Sequence, residues 1–282
     1  MKRRDFIQTV GAAAVGGMLT RAPLGATKRL DRIGLELFAV RHAMASDPER
    51  TLAAIRAIGY NDVELLWSFG NFGRTPAQVA ATLKNEGLRA PSAHMSAETM
   101  FVGWERSLDI AKQLGQEYVI VPDFDDWTKQ TLDNWLEWAD RFNAAGAVAR
   151  RHGIWLAFHN ESYHQKSIDG KVPYDVFIGR LDPSVTRLQL DVGNMVLGGG
   201  DPMQYLQKYP DRFWSFHLKD ALADRSSDTG LGQGIFDFKK FLAAVPSLEQ
   251  KPSYVEQEGA TDAAGELAFA KANYQYLRGL EF

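Results

Sequence analysis

Four apolar runs of this chain end in residue types that bind cations or move protons. FWSFHLKD, Phe213 to Asp220, delivers His217 and Lys219; LQLDVGN delivers Asp191; SYVEQEG delivers Glu256; WLAFHNE delivers His159 and Glu161. An imidazole among carboxylates suits one divalent ion such as Mn, Zn, Fe or Co, and Mg less well. Each residue alone has an ordinary role: Asp191 as a loop cap, His217 as a hydrogen-bonded core histidine, Glu256 as the partner of Lys219. Their joint place at consecutive strand ends is what points to a metal site, because a parallel barrel brings the C-terminal ends of its strands to one face.

The run WLAFHNE, fifth of the chain's eight expected strands, leaves a choice open. Alternation along Ala157-Phe158-His159-Asn160-Glu161 puts Ala157, His159 and Glu161 on one face, so either His159 or Glu161 completes the coordination. Other strand ends supply candidate substrate contacts: Glu64 and Trp67 after the second, His94 after the third, Asn160 after the fifth and Lys219 after the seventh. A Trp ring stacks on a flat apolar face of a ligand while charged groups take its polar atoms. Arg41, His42, Asn194 and Gln257 are expected near the same face. Glu256, Glu161, His94 and Lys219 are the candidates for moving or stabilising charge during a reaction.

These residues need eight strands to position them, and the chain offers eight: 33–40, 62–66, 89–93, 118–121, 154–158, 187–190, 213–216 and 253–255. Amphipathic stretches alternate with them, at 48–58, 76–85, 104–114, 132–151, 174–180, 202–208, 238–245 and 266–277. Several end at a glycine just before the next strand, as in AIGYNDVEL, NEGLRAPSAH, QLGQEYVIV and RHGIWLAF. Glycine tolerates the left-handed conformation that terminates a helix. Eight such units predict an α/β fold, a single-domain (β/α)8 TIM barrel over residues 27–282, rather than an open doubly wound sheet. No GxGxxG follows a strand, and the glycines of GLGQG, Gly230 to Gly234, read as loop punctuation on the substrate side.

Composition narrows the function. The formal net charge is -3, and no basic block with interleaved aromatics appears in the main body, which argues against nucleic acid as a partner. Zero Cys excludes thiolate zinc sites, disulfides and cysteine nucleophiles. GxSxG, GxxxxGK[ST] and HExxH are also missing from the sequence, so serine hydrolase, nucleotide-binding and zincin chemistries lack their local signatures.

Residues 1–26 stand apart. Lys2, Arg3 and Arg4 precede Asp5-Phe6-Ile7, then a Gly/Ala-rich apolar stretch from Val10 to Leu19 and a small-residue end at Gly25-Ala26. This resembles a twin-arginine export signal, too short in its apolar part to remain as a membrane span after cleavage. It implies a periplasmic or secreted protein.

The motifs taken in order carry a wider resemblance. SAHM (92–95), FHNE (158–161), LDVGNM (190–195), FHLKD (216–220), GLGQGIFDF (230–238) and YVEQE (254–258) resemble the xylose isomerase-like TIM-barrel superfamily, in its sugar phosphate isomerase/epimerase branch. The resemblance implies one divalent metal held by Glu, Asp, His and Glu from strands five to eight. Asp191, His217 and Glu256 match residue by residue, whereas the fifth-strand position departs from the pattern. It further implies a small carbohydrate substrate, a sugar, keto-sugar or glycoside derivative. The expected reaction is isomerisation or epimerisation through proton abstraction next to a carbonyl and a metal-stabilised enediolate. The His-Asn start of the fifth-strand motif also resembles a His-Asn-His subgroup, which brings keto-glycoside β-eliminases and hydratases into view. A non-catalytic carbohydrate-binding barrel is a third reading, and a homo-oligomer is compatible with all of them.

Overall fold

The computed structural model describes residues 27–67 and 70–282; the proposed export signal lies outside them. Eight parallel strands close into a barrel. In chain order they are β1 (Gly34–Glu36), β2 (Asp62–Leu66), β3 (Arg89–His94), β4 (Tyr118–Val121), β5 (Trp155–His159), β6 (Thr186–Asp191), β7 (Phe213–Leu218) and β10 (Ser253–Val255). Two short strands, β8 (Asp220–Ala221) and β9 (Asp228–Thr229), form an antiparallel pair on the loop after β7. Closure is made by β1, which pairs with β2 through Glu36↔Glu64 and with β10 through Gly34↔Tyr254.

The helices begin and end where local chemistry directs. Helix Pro48–Ile58 has Pro at its first turn and the Asp47 side chain accepting from Arg50 N, while Thr75 and Gln78 make a reciprocal capping box for Pro76–Glu86. Thr131 and Asn134 do the same for the long helix Leu132–Arg151. The glycines expected to stop helices hold positive φ, 66° at Gly87 and 79° at Gly153, a region costly for any residue with a Cβ.

One strand is shorter than its apolar run suggests. Of residues 33–40 only Gly34–Glu36 are strand; Leu37–Val40 turn into a 3-10 helix with Leu37, Ala39 and Val40 buried. A continuous apolar run satisfies a buried turn as well as a strand, so periodicity alone does not place the boundary.

Two cores share the barrel wall. Outside it, the strands' outward residues pack with the helices around Phe142, Phe158, Phe177, Phe216 and Phe241. Inside, Tyr118, Ile120 and Ala157 form a small separate apolar cluster with Trp155 and Trp214. At the N-terminal ends of the strands the Trp155 ring is sandwiched by the Arg150 and Arg187 guanidinium groups, each 3.6 Å from its centre, and Arg187 also lies 4.4 Å from the Trp214 ring. Above this plug the interior is filled by polar side chains.

Candidate metal centre

Alternation along the strands aims one residue from nearly every strand into the upper barrel. Glu36 (β1), Glu64 (β2), His94 (β3), His159 (β5), Asp191 (β6), His217 (β7) and Glu256 (just after β10) are all buried, none more than 5% exposed. Register sets Glu36 beside Glu64, and Asp191 beside His217. They form two clusters that share His217. Glu36, Glu64, His94 and His217 make one; His159, Asp191, His217 and Glu256 make the other, and in each the candidate ligand atoms lie within 4.8 Å of one another.

In the lower cluster Glu64 is saturated by hydrogen bonds, whereas Glu36 Oε2 has no hydrogen-bond partner. Glu64 accepts from Ser92 Oγ at 2.5 Å, Gln189 Nε2 at 3.0 Å and His217 Nε2 at 2.5 Å, and it lies 3.1 Å from His94 Nε2. Ser92 is joined in turn to the Tyr254 hydroxyl at 2.7 Å. Gly34 makes room for that tyrosine, since a Cβ there would sit 2.4 Å from its ring. Burial opposes ionisation of Glu64, but the charges of His94 and His217 outweigh it and hold the carboxyl low. Conversely, despite burial, the carboxylates around His94 raise its pKa to about 9.

The upper cluster is satisfied at Glu256 and His217 and open at His159 and Asp191. His159 lies 3.6 Å from Asp191 Oδ2 and 3.8 Å from Glu161 Oε1, and neither of its ring nitrogens has a hydrogen-bond partner. Asp191 Oδ2 is likewise unpartnered, while Oδ1 accepts from Asn194 N at 2.7 Å. An unpaired buried polar group costs about 1–3 kcal/mol, so three such atoms around His159 are expensive unless something binds them, and a single ring nitrogen together with Asp191 Oδ2 could reach a common ion. Burial, with the neighbouring His217 and His94, lowers the pKa of His159 and keeps it a neutral imidazole, the form that ligates metals. A neutral imidazole, two carboxylates and His217 are a donor set that fits a divalent cation.

Lys219 crosses above this set. Its Nζ donates to Glu256 Oε1 at 2.9 Å, Glu258 Oε1 at 2.6 Å and Asn194 Oδ1 at 3.3 Å. The glycine of the LDVGN motif is explained by its path, because a Cβ on Gly193 would sit 2.5 Å from Lys219 Cγ. With Oε2 lying 2.7 Å from His217 Nδ1, both oxygens of Glu256 have hydrogen-bonding neighbours.

Several sequence candidates are placed differently from expectation. Between the fifth-strand alternatives, His159 joins the four-residue cluster and Glu161 stands outside it, beyond the strand end, with Oε2 accepting from Asn194 Nδ2 at 3.1 Å. Burial raises the Glu161 carboxyl to about 7. Glu64 and Asn160 are fully buried and spent on protein groups rather than facing the mouth. Asn160 accepts from Asp191 N at 2.9 Å and donates to Asp191 O at 3.0 Å, fixing the backbone of the aspartate. Trp67 packs half-buried against the outer core, and His94 lies in the lower cluster. Arg41 and His42 lie near Glu266, and Gln257 accepts from Asn273. GLGQG is no anion cradle: the N–H groups of Gly232, Gly234 and Phe236 all donate to the Asp220 carboxylate.

Glu36 and Glu258 were not anticipated. Glu36 is a lone acid between two leucines, Leu35 and Leu37, at a strand end, the pattern that would have flagged it; burial raises its pKa. Glu258 repeats the alternation of Glu256 two residues on.

Comparisons agree with the architecture. A family model described as xylose isomerase-like TIM barrel matches residues 52–279. A sugar phosphate isomerase/epimerase structure from Parabacteroides distasonis superposes with a TM-score of 0.77 at 22% identity, covering 91% of this chain and 98% of that one. The structure of a protein called IolI with a bound zinc atom superposes at 0.68 with 14% identity, covering 89% and 99%. Inosose dehydratase of Lacticaseibacillus casei is 26% identical over 139 residues, 43% of this chain and 46% of that protein, so the chain spans about half the length of this curated relative. Among the described residues no helix is long and apolar enough to cross a membrane.

Proposed function

The chain belongs to the xylose isomerase-like TIM barrel family, and from its upper cluster we propose a divalent-metal-dependent lyase that acts on a keto-sugar or keto-glycoside. The observation that carries this is the division of labour at the end of β5: His159 stands with Asp191, His217 and Glu256, and Glu161 stands beside them, outside the cluster, its Oε1 3.8 Å from His159 Nδ1 and its Oε2 accepting from Asn194 Nδ2. These four residues would hold the cation. When bound, it polarises a substrate carbonyl and makes the adjacent C–H more acidic.

Glu161 removes that proton. The C–H electron pair moves toward the carbonyl and then expels an oxygen substituent on the next carbon, and Glu161 returns the proton to the departing oxygen. The products are an α,β-unsaturated ketone and water or an alcohol. Epimerisation would need a second base to deliver a proton to the opposite face. Glu256 is poorly suited to that task, since Lys219 occupies one of its oxygens and the other would be a ligand of the cation. Lys219 instead supplies fixed positive charge next to the site, its pKa raised by Glu256, Asp191 and Glu258 in spite of burial. The likeness to inosose dehydratase over part of the chain supports the same reading. The Arg-Arg start followed by an apolar stretch supports export as part of this proposal.

The test is incubation of the Mn-, Zn- or Co-loaded protein with 3-keto-glycosides and ketohexoses in D2O. Release of the aglycone or water with formation of an enone is expected. Solvent deuterium entering the sugar with every substituent retained would make it an epimerase, and no exchange at all would make it a binding protein.

A further inference from the structure

A metal-binding histidine must present one particular nitrogen, and what the other nitrogen touches decides which. His217 is held on both sides. Nε2 faces Glu64 Oε2 at 2.5 Å, and Nδ1 faces the upper cluster, 2.7 Å from Glu256 Oε2 and 4.0 Å from Asp191 Oδ2. Glu64 has no exposed surface for a substrate to reach, and its other partners, Ser92 Oγ and Gln189 Nε2, are donors that leave it an ionised acceptor. His94 reinforces this arrangement from the side, with its ring stacked on His217 at 5.2 Å and its Nε2 between Glu64 Oε2 and Gln189 Oε1.

We infer that Glu64 is a positioning residue: by keeping a proton on Nε2 of His217, it commits Nδ1 of that ring to the cation. The inference rests on the metal reading of the upper cluster and adds which atom binds and what holds it there. The carboxylate does this from beneath the site and touches neither cation nor substrate. The sequence LELFAV, with Glu36 one strand away, shows that acids at this depth are not confined to β2. Yet Glu36 lies 3.7 Å from His217 Nδ1, on the metal-facing nitrogen, and so cannot substitute.

The experiment uses the full-length protein labelled with 15N-histidine and titrated with Zn2+, the His217 signals being identified by their loss in His217→Gln. Expected is a zinc-shifted Nδ1 together with a protonated, hydrogen-bonded Nε2. Zinc on Nε2 would overturn the inference, whatever any variant does. Glu64→Gln, which cannot accept from all these donors at once, should weaken zinc binding about 10–100-fold in a chelator competition while the circular dichroism stays unchanged. Zinc held by Glu64→Gln as tightly as by the wild type would also overturn it. Wild-type protein that binds no Zn, Mn or Co would instead sink the metal reading itself, and this inference with it.

Discussion

The two clusters that meet at His217 are built from the same residue types and buried to the same degree, yet they differ in how far their polar atoms are satisfied. Around Glu64 the carboxylate oxygens are met by N–H or O–H groups from β3, β6 and β7. Around His159 three buried polar atoms have no hydrogen-bond partner, against one, Glu36 Oε2, in the cluster of Glu64. Proximity of carboxylates and imidazoles is therefore a poor guide to metal binding. The degree of satisfaction discriminates, because a carboxylate as fully bonded as Glu64 gains little from an ion that must first displace its hydrogen bonds, whereas the open atoms of His159 and Asp191 are relieved by one.

The largest test of that contrast removes one ligand. His159→Ala and Asp191→Asn are each expected to lower divalent-metal affinity by more than about 100-fold, beyond what loss of a supporting residue costs, with the fold retained by circular dichroism. Isothermal titration with Mn2+ or Zn2+ checks this. Next in size is the gain from the ion itself. At 100 times its dissociation constant a cation that binds only the native state adds about 2.7 kcal/mol. That corresponds to roughly 5–10 °C in melting temperature for a domain of this size, lost on chelation. Differential scanning fluorimetry with and without EDTA reads it directly.

His94→Gln probes the side of Glu64 and should change metal affinity by less than about tenfold while lowering stability, since it removes a donor rather than a ligand. If it strips the metal as His159→Ala does, the two clusters are one site and the contrast fails. The smallest effect lies off the barrel axis. Asp123 accepts from Lys129 Nζ, Tyr163 OH and His164 Nε2, and His164 Nδ1 accepts from Glu161 N, so this network braces the loop that carries Glu161. Burial pulls the Asp123 carboxyl upward, and the hydrogen bonds from His164, Lys129 and Tyr163 outweigh it, leaving it below the ordinary range. A depressed carboxylate stabilises the fold above its unfolded value of about 3.9 and loses that contribution as the pH falls through its folded value. Asp123→Asn should cost about 1 kcal/mol at neutral pH, with the difference from wild type shrinking below pH ~4 in urea melts.

Much of the barrel was legible in the chain because its signals are local. Alternating runs, capping residues such as Asp47 and Thr75, and glycines such as Gly87 and Gly153 act within a few residues of themselves. The first strand was overextended since Leu37, Ala39 and Val40 are as apolar in a buried turn as in a sheet. The site was legible only in part. Asp191, His217 and Glu256 stand out as strand ends, while Glu36 is hidden as a single acid in an apolar run, and Glu64 carries no mark of how deep it lies.

The amino-acid order by itself determined which side chains face the barrel axis, because alternation along a strand is a property of one segment. Whether a given inward residue reaches the upper cluster, supports it from below or spends itself on a neighbour's backbone depended on the stagger between strands far apart in the chain. His159 and Glu161 share a face, and the choice between them came only when closure set β5 against β6 and let the chain turn away after His159. Inter-strand register is fixed by packing of the whole cylinder, which no single segment encodes.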